Sequence, residues 1–155
     1  DAARPSGDEI KLELGFSYLL PESYIASTQQ RLDVYKRLAE VKSDEEAWEM
    51  RQTLEDRFGK LPVEMATLFT MLHIRLQASR YGLTVLERSG GQLHARLGHP
   101  DRVDVDRLLK LVADPKTGIK LEPGDKLVLG PMPQTPEGVL ERLKLLDRIV
   151  NPKAA

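Results

Sequence analysis

The 155-residue sequence contains no cysteine. That excludes disulfides, thiolate metal sites, cysteine nucleophiles and iron–sulfur ligation, and it fits a reducing compartment. Aromatic residues are scarce: three Phe, four Tyr and one Trp. Most sit at helix-stripe positions, so no platform for stacking bases is expected. A dominant charge sign is also missing. With 23 Lys and Arg against 24 Asp and Glu, the net charge is −1, and no strongly basic field exists to hold a phosphate backbone by charge alone. The longest apolar runs are three or four residues, which excludes a membrane-spanning helix. No signal peptide is recognisable. The chain begins Asp1-Ala2-Ala3-Arg4-Pro5 without an initiator Met, and it reads as a piece of a longer protein.

What is present is an ordinary folding composition, 41% hydrophobic and 30% charged, which excludes a disordered or fibrous chain. Residues 1–8 read as a linker remnant and 152–155 as a tail, leaving 9–151 as one α+β domain. Ile10, Leu12 and Leu14 alternate with charged residues, the period of a half-buried strand. From Glu22 the period changes to three and four, with Leu32, Tyr35, Leu38 and Ala39 on one helical face. Ser43-Asp44-Glu45-Glu46 is a capping box that opens a second helix through Ala47, Met50, Leu54 and Phe58. Gly59 ends it as a left-handed cap would, and Pro62 stands at a first helical position. The third helix carries Met65, Leu68, Phe69, Leu72 and Leu76 and stops at Gly82. Residues of about 22–82 therefore form a three-helix lobe.

A sheet-containing lobe follows over about 83–151. Leu83–Arg88 and Gln92–Leu97 flank Ser89-Gly90-Gly91, a hairpin signal. Asp104 caps a helix marked by Val105, Leu108, Leu109 and Val112. Ile119–Glu122 and Lys126–Gly130 flank Pro123-Gly124-Asp125, and Thr135-Pro136-Glu137 opens a last helix through Val139, Leu140, Leu143, Leu146 and Val150. Strand-strand-helix thus occurs twice. A mixed or antiparallel sheet with helices packed on it is the simplest way to bury these stripes, and a doubly wound nucleotide-binding fold is not expected.

No chemistry-bearing constellation emerges. Ser89-Gly90-Gly91 lacks the spacing, the Lys and the following helix of a phosphate loop. His73, His94 and His99 have no cysteine to complete a zinc site; His94 is expected on the solvent face of its strand with Gln92 and Arg96. No nucleophile elbow accompanies any Ser-His-Asp combination. Asp44, Glu45 and Glu46 begin a helix, where negative charge meets the positive dipole end. Glu55 and Asp56 lie in a last helical turn, where negative charge costs about 0.3–1 kcal/mol. Either a local pair offsets that, Asp56 with Arg57 or Glu55 with Arg51, or a partner carrying arginines does. Between Glu40 and Arg57 the seven acids exceed the three bases by four, and from Arg75 to Lys110 seven bases oppose four acids. This polarity suggests a protein docking surface. Nucleic-acid contact through Arg88, Arg96 and Arg102 is the competing reading.

Particular residues go further. Glu9-Ile10-Lys11-Leu12, Leu20-Pro21-Glu22-Ser23-Tyr24-Ile25, Gln30-Arg31-Leu32 with Tyr35-Lys36-Arg37-Leu38-Ala39, and Asp56-Arg57-Phe58-Gly59-Lys60-Leu61-Pro62 follow one another in order. Over about residues 9–82 the chain resembles the C-terminal domain of the bacterial transcription-repair coupling factors. The resemblance implies a non-catalytic regulatory domain, without a cofactor, in a cytoplasmic DNA translocase driven by ATP. The parent would reach DNA through its motor domains, act on stalled RNA polymerase and recruit UvrA. This domain would dock on the parent's N-terminal UvrB-like module and mask the UvrA-binding surface. The resemblance puts Asp56 and Arg57 at the family's contact positions. Thr53 stands where the family often has Glu; either Glu55, about 160–200° round the helix from it, supplies that charge in a shifted register, or the clamp uses fewer ion pairs, and Phe58 completes the group. The alternative role is an accessory domain that contacts nucleic acid or RNA polymerase.

Overall fold

In the computed structural model, residues 10–151 are described. The expected linker (1–8) and tail (152–155), and Glu9 of the first strand, lie outside them. The chain divides into two compact units, Phe16–Leu76 and the chain on either side of it.

The first unit is helical. After a turn in which Tyr24 and Ile25 donate to the Pro21 carbonyl, α1 spans Thr28–Glu40, α2 spans Asp44–Phe58, and α3 begins at Glu64 and runs to Arg80. The first helix starts six residues later than Glu22, where the change of period set it. The Ser27 hydroxyl accepts from the Gln30 N–H, and Arg31 donates to the Ile25 and Ala26 carbonyls, which holds the preceding segment out of the helix. The inward face of α1 is also rotated from expectation. Val34 and Leu38 are buried while Leu32 is 58% exposed, and Ala39 is exposed too.

The capping box of α2 forms with a shift. The Ser43 hydroxyl accepts from the Glu46 N–H at 3.1 Å, and the Glu46 carboxylate accepts from Lys42, one residue before the cap, at 2.7 Å. Pro62 precedes α3 by two residues, its carbonyl accepting from Met65. Every apolar residue assigned to α2 and α3 is buried or packed against the core, which gathers Leu20, Ile25, Val34, Leu38, Ala47, Leu54, Met65, Phe69 and their neighbours. Arg75 reaches the end of α1 and donates to the Leu38 and Val41 carbonyls, both at 2.9 Å. A cation there satisfies carbonyls that the helix leaves unpaired. Its burial lowers the tendency of that guanidinium to stay charged.

The second unit is built on a five-stranded mixed sheet in the order β1-β2-β3-β5-β4. The strands are β1 Lys11–Glu13, β2 Leu83–Ser89, β3 Gln92–Leu97, β4 Lys120–Glu122 and β5 Lys126–Pro131. Only β1 runs parallel to its neighbour, pairing Lys11 with Val85 and Glu13 with Glu87; the remaining pairs are antiparallel. The β2–β3 turn is Gly90-Gly91, both at positive φ, as expected for a two-residue hairpin. Alternation, with a bulge between Leu83 and Val85 that resets the phase of β2, sends Leu83, Leu86, Leu93, Ala95, Leu97, Leu127 and Leu129 to the covered side, each at most 6% exposed. Two helices, α4 Val105–Ala113 and α5 Pro136–Leu143, belong to this unit. The last expected helix gives way at Lys144 to a 3-10 segment, Lys144–Ile149, whose Leu146 and Ile149 are buried.

On α4 the stripe is narrower than the pattern implies: Leu108 and Leu111 are buried, whereas Val105 is 56% and Leu109 51% exposed. His94 does share the outer side of its strand with Gln92 and Arg96, but it is half-covered between Glu87 and Val128. Its Nδ1 is shielded and has no hydrogen-bond partner among the described residues.

Candidate docking surface

The end of α2 is held by an unusually specific set of contacts. Gly59, at φ 93° and ψ −176°, departs from the left-handed helical cap expected of it, though its N–H still bonds to the Glu55 carbonyl. The freed carbonyls behind it are then met by a side chain 35 residues earlier. The Tyr24 hydroxyl donates to the Gly59 carbonyl at 2.6 Å, with the Leu54 carbonyl at 3.1 Å as the second acceptor of the same proton. The Tyr24 ring meets the Phe58 ring in a tilted contact, with centroids 5.8 Å apart. Burial first, and the Glu55 charge second, hold the Tyr24 hydroxyl above its ordinary pKa, so it stays a donor.

This latch predicts that Tyr24→Phe destabilises the protein by about 1–2 kcal/mol, the magnitude for a partly buried hydrogen bond whose acceptors lose their donor. Urea unfolding measures the loss. Amide exchange should accelerate selectively over residues 56–61, and a uniform acceleration would count against a local latch.

The five residues expected at the site part company here. Thr53, Asp56 and Arg57 are exposed on the outer arc of α2. Glu55 is turned the other way and is consumed locally: its carboxylate lies 3.8 Å from Arg51, one turn earlier, and accepts from the Leu61 N–H at 3.4 Å. Phe58 is half-buried against the core and forms the floor for Arg57, whose guanidinium carbon sits 5.0 Å from its ring centroid. Arg57 is thereby oriented by a cation–π contact instead of pairing with Asp56.

The two alternatives for the last-turn acids thus separate by residue. The unfavourable dipole interaction of Glu55 is offset within the chain. Asp56 has no ion-pair partner among the described residues, so its negative charge at a helix C-terminus is uncompensated. Beside it, Thr53 opens onto a shallow groove of about 280 Å³ lined by Arg37, Glu40, Val41, Glu46, Glu49 and Met50. Sequence reasoning missed this groove and the Tyr24 latch, because both need the end of one helix set against a distant segment.

Elsewhere the histidines are dispersed. His73 Nδ1 lies 3.1 Å from Asp44, at the start of α2. Among the described residues, no group of three or more His, Asp or Glu side chains is placed to hold a metal ion, and no helix is long and apolar enough to cross a membrane. Two of the three arginines of the nucleic-acid reading are engaged with main-chain carbonyls, Arg96 with Gly124 at 2.9 Å and Arg102 with Ser79 at 2.8 Å.

A family model described as the TRCF domain matches residues 14–108. The transcription-repair-coupling factor of Staphylococcus haemolyticus is 32% identical over 93 residues, covering 60% of this chain and 8% of that protein. Those of Staphylococcus epidermidis and Staphylococcus aureus are each 28% identical, over 102 and 104 residues, covering 66% of this chain and 9% of theirs. The chain therefore spans less than a tenth of the length of these curated relatives. A crystal structure of the C-terminal domain of transcription-repair coupling factor superposes with a TM-score of 0.72 at 19% identity, covering 89% of each chain; this is a likeness of fold.

Proposed function

The chain belongs to the TRCF domain family, and from that premise we propose that it serves as the C-terminal regulatory domain of a bacterial transcription-repair coupling factor. On this reading it docks on the parent's N-terminal UvrB-like module, covers the UvrA-binding surface and is released when the parent engages RNA polymerase. It carries no chemistry of its own, and DNA and polymerase are met by other parts of the parent. Residues 9–151 act as one regulatory domain, with the helical lobe presenting the docking edge.

The observation that supports this best is the pair Asp56 and Arg57. Both are exposed, both are on a helix end pinned by Tyr24, and neither has an ion partner within the described chain. A charge left uncompensated at a helix C-terminus calls for a complement from outside. Thr53 and its groove extend the edge, whereas Glu55 and Phe58 support it from beneath and do not face the partner. Because Glu55 is locally engaged, this chain uses fewer ion pairs than relatives with Glu at the position of Thr53.

Titration of the chain against the isolated N-terminal module by calorimetry tests the proposal. Saturable binding is expected, competed by UvrA and weakened roughly tenfold, or about 1.4 kcal/mol, by Asp56→Arg. Absence of binding, or binding indifferent to Asp56→Arg, overturns it. A salt-dependent shift of duplex DNA by the chain would favour the accessory nucleic-acid role instead.

A further inference from the structure

The outward side of α2 carries a second feature that the docking edge does not use. Trp48, the only tryptophan in the sequence, lies in the middle of this 15-residue helix and is 63% exposed. Leaving so large an apolar surface in water is unfavourable, and a tryptophan fixed on a rigid helix is the residue type most enriched in binding hot spots. It lies five residues before Thr53 and nine before Arg57. At ~100° per residue it projects about 140° from Thr53 and about 180° from Arg57. One flat partner cannot cover both Trp48 and Arg57.

The helical neighbours of Trp48 fix the chemistry of what it meets. One turn away on either side stand Asp44, Glu45, Arg51 and Gln52. Arg51 is answered by Glu55 and Asp44 lies against His73, while Glu45 is exposed and has no partner among the described residues. Counting Glu55 with Asp44 and Glu45 against Arg51, this face is negative. An indole face one turn from the unpaired Glu45 carboxylate attracts a guanidinium in two ways at once, by stacking and by ion pairing. A phosphate backbone or anionic lipid surface is repelled.

We propose that Trp48 and Glu45 form a second docking surface, separate from the Asp56–Arg57 edge, for a polypeptide segment that presents arginine. The site stacks one guanidinium on the Trp48 ring and pairs it with Glu45. It stands independently of the docking reading above, since Trp48 and Glu45 lie about 12 and 16 Å along the helix from Asp56, at ~1.5 Å per residue.

Trp48 is its own reporter. The full chain is titrated with acetylated, amidated hexa-arginine and hexa-lysine peptides at about 0.1 M salt, where the screening length is about 10 Å. Tryptophan emission and calorimetry are read together. Hexa-arginine should change the emission saturably and bind more tightly than hexa-lysine. Trp48→Leu and Glu45→Lys should each weaken calorimetric binding roughly fivefold or more, the scale of one good cation–π contact, with unchanged melting curves. Asp106→Lys, the same charge change at an exposed acid on α4 of the second unit, should leave the affinity within about twofold. Equal binding of the two peptides, or a Trp48→Leu affinity equal to that of the unaltered chain, overturns the proposal and leaves only diffuse attraction to an acidic stretch. Loss of binding in Asp56→Lys but not in Glu45→Lys also overturns it, placing the peptide on the first edge.

Discussion

Gly82→Ala is expected to lower stability by about 3–5 kcal/mol, among the larger effects a single methyl group can have. Gly82 lies one residue beyond the end of α3, after Tyr81, and sits at φ +77°. A β-carbon on it would overlap the His99 carbonyl oxygen and come within 3.2 Å of the Arg102 side chain. Three costs coincide. The left-handed conformation is unfavourable for alanine by roughly 1–2 kcal/mol. The overlap is with main chain, which cannot rotate away, so it adds an overpacking cost of about 1–3 kcal/mol. Any backbone shift that relieves it strains the bonds from the Gly98 and His99 N–H groups, at 3.0 and 2.9 Å, to the Gly82 carbonyl. For a chain of this size the loss corresponds to a fall in Tm of roughly 6–20 °C. Thermal unfolding followed by far-ultraviolet dichroism measures it. A fall of under two degrees would mean that the loop at His99 yields freely. Gly90→Ala, where no atom lies within 4 Å of the added carbon, isolates the conformational part alone.

Gly82 also shows what could be read from the residues and what could not. As a helix stop it was legible, because glycine ends helices through its own backbone freedom. The same local logic made Ser43, Asp104 and Thr135 readable as caps, and all three accept the expected N–H. The close approach of His99 was not legible, since it depends on two segments 17 positions apart. Nonlocal pairing hid other features as well. The parallel seat of β1 beside β2 joins Lys11 to Val85, and β5 lies next to β3 while β4 takes the edge; alternation within each strand says which side is apolar but not which strand is the neighbour. Periodicity also overcounts. Leu32, Leu109 and Val105 fit helical stripes yet are more than half exposed, because a stripe of three or four positions is wider than the seam that packing closes. At the docking edge, the D-R-F-G run was recognisable, and an i, i+4 pairing of Arg51 with Glu55 could be weighed in advance. That Arg57 lies over Phe58 rather than against Asp56 could not, for it depends on Tyr24 fixing the ring.

The largest functional effect is expected from reversing Asp56 in the intact coupling factor. A regulatory clamp that opens on demand must favour the closed state by only a few kcal/mol, leaving ~0.1–10% open at rest. Exposed ion pairs contribute about 0–1 kcal/mol each and could not hold such a bias, but a pair desolvated on docking can. Asp56→Arg removes the attraction and sets like charge against the arginines proposed to face it. A loss of about 1.4 kcal/mol raises a small open fraction roughly tenfold. The apparent affinity for UvrA, which follows the competent fraction, should rise by the same factor, and basal ATPase should rise with it. Glu55→Gln is the informative control. Its carboxylate is held by Arg51 and Leu61 inside the domain, so it should lower stability slightly and leave UvrA affinity unchanged. If Asp56→Arg leaves both UvrA affinity and ATPase at the wild-type level while the domain remains folded, the charge at the end of α2 does not hold the clamp. If Glu55→Gln releases UvrA binding as strongly as Asp56→Arg, the contact runs through the inner side of the helix, and the division of labour between the two acids is wrong.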